Sequence, residues 1–341
     1  YSQEVLIPVS LEDQIMPGTL EFAIHTLIET RMDMSVFDEK YRNDQTGRSA
    51  YDPKVLLKVV LFGYSRGLIS SRRIERCCKE NITFMALACG QQPDHSTIAA
   101  FVSSMKDQIK PLFTDILLVC EQEGLLGGSF FAIDGCKMSS NASKEWSGKI
   151  RDLKKKKAKI EGKLKALVKD HIEIDKEEQA VKQKMSASRE KQIRRLEQQA
   201  DKIEKWLNEN DKKIGAYGKE LHSNVTDNDS AKMHTAHGTV QGYNGQAIVD
   251  SKHQVIVHGE AIGKGLDNDN LPPVVDGAKE NLASIGKSKN YFKGKILTAD
   301  SSYHSVTNIT KCNEEKLDAY IPDNKFRNRD KRFASRVGYR R

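Results

Sequence analysis

"SFFAIDGCKM", residues 129–138, and "KILTADSSYH", residues 295–304, pose the same problem twice. In the first stretch the apolar run Phe130, Phe131, Ala132 and Ile133 drives into a carboxylate, Asp134, with Gly135 next. In the second, Ile296 and Leu297 lead through Ala299 to Asp300. Short apolar runs of this length read as buried strands. A charge that closes such a strand is costly unless something compensates it. A strand is also a rigid platform for a side chain that must be held in place. Each acid is therefore expected at a strand end, as a working group.

The elements around these two stretches order themselves. "GTVQGYNGQAIVD" (238–250) and "QVIVHGEAIG" (254–263) read as a hairpin across Ser251, Lys252 and His253. A helix is expected to start near Pro272, and "SVTNITKCNEEK" (305–316) reads as another. "LDAYIPDN" (317–324) supplies a last strand, and residues 325–341 read as a basic tail.

Residues 150–214 differ in character. Ile150, Leu153, Ile160, Leu164, Leu167, Ile174, Val181 and Met185 recur at three- and four-residue steps, with lysines between them. After "SAS" (186–188) the pattern restarts with Ile193, Leu196, Ala200, Ile203, Leu207 and Ile214. This is a heptad stripe, and two helices across a short serine-rich turn are expected to pack as an antiparallel hairpin. A parallel, dimerising coiled coil is the competing arrangement.

With that hairpin set aside, the order is three strands, a helix, a strand bearing Asp300, a helix and a strand. This resembles a ribonuclease H-like α/β core, in which the first and fourth strands lie side by side. Asp134 and Asp300 would then meet although far apart in sequence. Crowded carboxylates repel unless a cation lies between them. Magnesium takes hard oxygen ligands and keeps positions open for water and phosphate, and Mn²⁺ is a possible substitute. Paired ions of this kind serve phosphodiester displacement. Gly135 and Ala299 beside the acids are expected to leave room for a bulky substrate.

Residues 1–125 read as helical. Asp52 is a plausible N-cap before Pro53, and Val55, Leu56, Val59, Val60 and Phe62 follow at helical spacing to Gly67. Ser70 or Ser71 would cap a helix with a basic face of Arg72, Arg73 and Arg76, and Asp94 or Ser96 would cap the next. Clustered arginines on short helices fit a helix-turn-helix-like DNA-binding unit, or a merely solvated face.

The chain has 341 residues, enough for two or three domains, and a formal net charge of +8. A basic balance suits a polyanionic partner or simple solubility. No apolar stretch approaches the roughly 18 residues that a membrane span needs, and no segment reads as a signal peptide. The six cysteines show no CxxC spacing, which argues against a zinc ribbon and a disulfide framework.

The ordered set "YDPKVLLKVVLFGYSRGLISSRRIERCC", "PDHSTIAAF", "AIDGCKMSSNASKEWSGK", "TDNDSAKMHTAHGTVQGYNGQAIVD", "ILTADSSYHS" and "AYIPDNKFRNRDKRF" resembles bacterial insertion-sequence transposases of the DDE type along nearly the whole chain. The resemblance implies cleavage at the ends of a mobile element and joining of 3′-hydroxyls to target DNA. It makes Asp134 and Asp300 the first two acids of the triad, together holding Mg²⁺. It implies a helical DNA-binding domain at 1–125 for the terminal repeats and a catalytic core at 126–149 and 223–341. The helical insertion would occupy 150–222. A homodimer on DNA and a bacterial cytoplasmic location, at the nucleoid when DNA-bound, complete the implication. The third acid, a Glu after the last core strand, is expected beyond Arg341, so the chain reads as a piece of a longer protein with two of three ligands. A catalytically inactive DNA-binding fragment, a coiled-coil scaffold and a nuclease of the same fold remain alternatives.

Other residues carry open readings. Lys137 and Asn141 are expected to line the site. Asp227, Asp229, Lys232, His234 and His237 are either phosphate contacts or a polar loop. His304 either touches DNA or caps a helix, and Trp146 and Trp206 are core or seam residues.

Overall fold

The structure is a computed structural model that describes residues 8–40, 50–174, 182–215, 218–235 and 238–337. The chain divides into two compact units, Tyr1–Gly127 with Glu280–Lys289 and Gly128–Lys279 with Asn290–Arg341. Among the described residues no helix is long and apolar enough to cross a membrane.

In the first unit the chain forms α1 (Leu20–Thr30), α2 (Pro53–Ser65), α3 (Ser71–Glu80), α4 (Ile82–Leu87), α5 (His95–Ser104) and α6 (Ile109–Gln122). Local chemistry sets the boundaries. Asp52 Oδ1 accepts the Lys54 amide at 2.7 Å and Pro53 occupies the first turn, where its missing N–H costs nothing. Gly67, with φ +72°, closes the same helix as expected. Asp94 caps α5 through the amides of Ser96 and Thr97, at 2.8 and 2.9 Å. Ser70 precedes α3, but its side chain makes no capping bond.

α2 is buried on almost every side, through Val55, Leu56, Leu57, Val59, Val60 and Phe62. Each such side chain stabilises the fold by about 1.5–3 kcal/mol when fully buried, so this helix is the centre of the unit. Lys58 is buried with it and reaches Glu29 on α1 at 2.9 Å. Burial alone would raise the Glu29 carboxyl, but the hydrogen bonds of Lys58 and Lys54 outweigh it and hold the group below its ordinary range.

The second unit contains β1 (Phe130–Ser139), β2 (Ser147–Gly148), α7 (Ile150–Ile174), α8 (Lys182–Glu209), β3 (Ser223–Asn224) and β4 (Ala231–Thr235). It continues with β5 (Gly238–Asp250), β6 (Ile256–Ile262), α9 (Leu271–Ser284, whose last turn from Glu280 belongs to the first unit), β7 (Ile296–Thr298), α10 (Val306–Glu314), β8 (Asp318–Tyr320) and α11 (Phe326–Arg329). The sheet runs β4-β5-β1-β7-β8, with β6 also on β5. β1 pairs antiparallel with β5, and β5 antiparallel with β6 and β4; β1–β7 and β7–β8 are parallel.

β1 does not stop at Asp134, as its sequence suggests, but runs five residues further, to Ser139. The reason is its two neighbours. β7 leaves it after Ala132, whereas β5 keeps pairing from Asp134↔Ala247 to Ser139↔Gly242. Asp134 therefore sits inside a strand, at the level where one of its two partners ends.

The helical stripe forms an antiparallel pair. Leu153 and Ile160 of α7 pack with Ala200, Ile203 and Trp206 of α8 and with Val225. Lys157 bonds Glu204 at 2.8 Å, so residues rising along α7 meet residues falling along α8. Ser147 and Gly148 pair with Asn224 and Ser223 at its base. Two expectations are corrected. Ser186 and Ser188 do not make the turn but lie within α8, because serine is tolerated inside a helix whose apolar face is otherwise continuous. Ile214 does not extend the seam, since α8 ends at Glu209 and Ile214 is exposed. The seam positions Ile174, Val181 and Met185 lie outside the described side chains.

Residues 325–337 are not a plain tail either. α11 and a 3₁₀ turn at Lys331–Phe333 bring the Phe326 and Phe333 rings edge to face, 5.9 Å apart.

Candidate active site

The parallel register of β1 and β7 sets Phe131 beside Leu297 and Ala132 beside Thr298. Two residues on, β1 carries Asp134 and the chain leaving β7 carries Asp300. Each acid thus follows by two residues the last paired position of two adjacent strands. Ile133, just before, is 2% exposed, while Asp134 and Asp300 are exposed. The change from core to solvent occurs within one residue because the sheet narrows there.

Each carboxylate is held locally. Asp134 Oδ1 accepts the Gly135 amide at 2.7 Å. Asp300 caps the 3₁₀ turn Ser301–Tyr303, accepting Ser302 N at 2.8 Å and Ser302 Oγ at 2.5 Å.

A third carboxylate, which the sequence reading missed, is linked to Asp300 through Ser302 from the β6–α9 connection. Asp267 Oδ1 accepts Asn244 Nδ2 at 2.6 Å and Gln246 Nε2 at 2.9 Å, and its Oδ2 accepts Ser302 Oγ at 3.0 Å. Gln246 Oε1 in turn accepts the hydroxyl of the buried Tyr303. That phenol is pushed far above its ordinary range, first by burial and then by the negative charges of Asp267, Asp134 and Asp300. One signal for this cluster was present in the sequence. Asn244 and Gln246 are two polar amides on one face of a strand, and buried amides at that spacing require a shared partner.

Gly135 has a different role from the one expected. A Cβ there would stand 2.3 Å from Gln246 Nε2 and 3.1 Å from Asn244 Oδ1, so the space above it is already filled by these amides. Asp134 opens onto a trough of about 450 Å³ that Cys136, Met138, Gly245, Ala247, Gly259 and Glu260 also line. Most of these residues are small, but the Met138 side chain and the Glu260 carboxylate share the trough with Asp134.

Among the described residues no Lys or Arg ion-pairs with Asp134, Asp267 or Asp300, and no three His, Cys, Asp or Glu side chains are placed to hold one ion. The Asp134 and Asp300 pair offers oxygen-only, solvent-facing donors without a cationic neighbour. That is the donor chemistry of a hard divalent cation.

The other expected residues are dispersed. Lys137, exposed on β1, donates to the His234 carbonyl at 3.1 Å and lines a separate cavity of about 830 Å³ with Lys213, Lys232, His234 and Lys264. Asn141 lies in an exposed bend beyond β1, outside the acid cluster. Arg72, Arg73 and Arg76 share the exposed face of α3 in the first unit.

Asp227 accepts the Tyr243 hydroxyl at 2.9 and 3.0 Å and the Ser230 amide at 3.2 Å, which makes it a structural turn residue. His304 is exposed at the end of the 3₁₀ turn. Trp206 is buried in the hairpin core and Trp146 packs against it. His237 lies outside the described residues.

Residues 9–104 match a family described as "Transposase domain (DUF772)". The match covers α1 to α5 and stops short of both acids. No curated protein and no solved structure matches the chain.

Proposed function

We propose that this chain acts on DNA as an insertion-sequence transposase of the DDE type, with Asp134 and Asp300 as its metal-holding pair. The observation that carries the reading is the β1–β7 register, beyond which each of the two adjacent strands leads within two residues to an exposed carboxylate. The strand order β6-β5-β1-β7-β8, with its first two ladders antiparallel and its last two parallel, supports a ribonuclease H-like core. The transposase-domain match at 9–104 supports the same reading from the other unit.

Asp134 and Asp300 would hold Mg²⁺, which supplies Lewis acidity at a scissile phosphate when bound. The protein's own part is to fix two carboxylates where two paired strands of a rigid sheet run out. Arg72, Arg73 and Arg76 are placed to meet DNA phosphates, since they are exposed and have no carboxylate partner among the described residues.

The test is Mn²⁺ uptake by the purified chain, followed through loss of the free-ion signal in electron paramagnetic resonance. Wild type should take up Mn²⁺, with Mg²⁺ competing, and Asp134→Asn or Asp300→Asn should abolish uptake. Uptake that is unchanged in both variants would remove the basis of the metal-site reading.

A further inference from the structure

We propose that Asp267 is a positioning residue of this site, holding Asp300 in place through the Ser302 hydroxyl. The inference rests on the reading of Asp134 and Asp300 as the metal-holding pair and extends it to a residue outside that pair.

Asp267 is anchored from several sides. Asn244 and Gln246 of β5 both donate to its Oδ1, at 2.6 and 2.9 Å. Asn308 of α10 donates to its main-chain carbonyl at 3.3 Å. Its remaining carboxylate oxygen, Oδ2, meets Ser302 Oγ at 3.0 Å. Asp300, by contrast, is exposed, and among the described residues its carboxylate is held by the amide and hydroxyl of Ser302 alone. The rigid carboxylate therefore lies behind the exposed one, with a single hydroxyl between them.

That hydroxyl is over-subscribed. Ser302 Oγ lies 2.5 Å from Asp300 Oδ1 and 3.0 Å from Asp267 Oδ2, yet it has one proton to give. Whichever carboxylate receives the proton, the other faces an oxygen lone pair. A cation on Asp300 relieves this conflict, because it neutralises one of the two acceptors and leaves the proton to Asp267. The bare cluster carries strain that a bound cation removes, and Asp267 is the member that creates it.

A residue that acts in this way behaves as the outer partner of a metal ligand, whose removal typically costs 10- to 100-fold in metal affinity. The test is the Mn²⁺ titration of the full chain, with Asp267→Asn, Ser302→Ala and the double variant. Tryptophan fluorescence unfolding is followed alongside as a check on folding. Each single variant should weaken Mn²⁺ binding by about 10-fold or more while the unfolding midpoint stays near wild type. The double variant should bind no more than about threefold more weakly than the worse single variant, because both cut the same link.

Ser302→Ala changes no charge, so wild-type affinity in that variant would overturn the proposal, as would multiplying losses in the double variant. Asp134→Asn and Asp300→Asn separate the two levels. If they abolish uptake while Ser302→Ala does not weaken it, the positioning role alone is wrong. If they bind like wild type, the acid pair is wrong and the role of Asp267 falls with it.

Discussion

Replacing Gly135 by alanine should destabilise the second unit by about 2–4 kcal/mol, although the same change in an open strand would stabilise it. The added Cβ would lie 2.3 Å from Gln246 Nε2, closer than a non-bonded approach allows, and 3.2 Å from Gln246 Cδ, a tight contact. Gln246 is 2% exposed and its amide must therefore leave a site that water does not reach. Two hydrogen bonds go with it, one from the Tyr303 hydroxyl and one to Asp267. Leaving buried polar groups unpaired costs roughly 1–3 kcal/mol each. Against this stands a gain of about 0.5–1 kcal/mol from the lower backbone entropy of the unfolded alanine chain. The assay is denaturant unfolding followed by tryptophan fluorescence. Both tryptophans, Trp146 and Trp206, lie in the second unit, so the signal reports that unit alone. The midpoint should fall at unchanged slope. In a Gln246→Ala background the obstacle is gone, and Gly135→Ala should become neutral or slightly stabilising. A Gly135→Ala protein as stable as wild type would refute the argument, because the amide would then have somewhere else to go.

Gly277→Ala should also destabilise, by about 1–3 kcal/mol, even though alanine is the better helix former. Its Cβ would meet the His258 ring at 2.3–2.8 Å, and a lowered denaturant midpoint is the check. Glu29→Gln should cost about 2–3 kcal/mol at neutral pH, because it strands the buried ammonium of Lys58. The Glu29 carboxyl is depressed in the folded state, so its stabilisation is fully present above the ordinary carboxylate range and is lost as pH falls through the depressed value. The gap between wild type and variant should accordingly shrink in acid, which thermal melts from pH 7 to pH 3 would show. Replacing Arg72, Arg73 and Arg76 together by alanine should weaken DNA binding and lower its salt slope by about 0.9 for each phosphate no longer neutralised. Fluorescence anisotropy at several salt concentrations measures this, and an unchanged slope would remove α3 from the DNA-binding surface.

What the sequence disclosed follows from how local each cause is. The start of α2 is written in Asp52 and Pro53, and the strand pair β5–β6 in two alternating runs around a short polar turn. The side-by-side pairing of the strands that lead to Asp134 and Asp300 could be expected from element order. The true extent of β1 could not, because residues beyond Asp134 are polar and stay in the strand only through pairing with β5. "SAS" looked like a turn because serine favours turns, but that preference is weak and α8 runs through it. Asp267 was hidden for another reason. Its partners come from β5, the turn after β7 and α10, and no single stretch of sequence shows all of them.

The placement of the helical hairpin within the sheet has a consequence for how the protein is made. β1 leaves the ribosome well before β5, its antiparallel partner, and the whole of α7 and α8 is synthesised between them. At roughly 5–20 residues per second the apolar edge of Phe130, Phe131, Ala132 and Ile133 waits several seconds for its first ladder. The hairpin can form locally in that interval, because it joins neighbouring helices. β7 arrives later still, so it can pair with β1 only after β6 and α9 have also been made. A nascent protein of this design exposes an unpaired strand while the whole hairpin is being made, and the strand that leads to its second acid joins the sheet only after that.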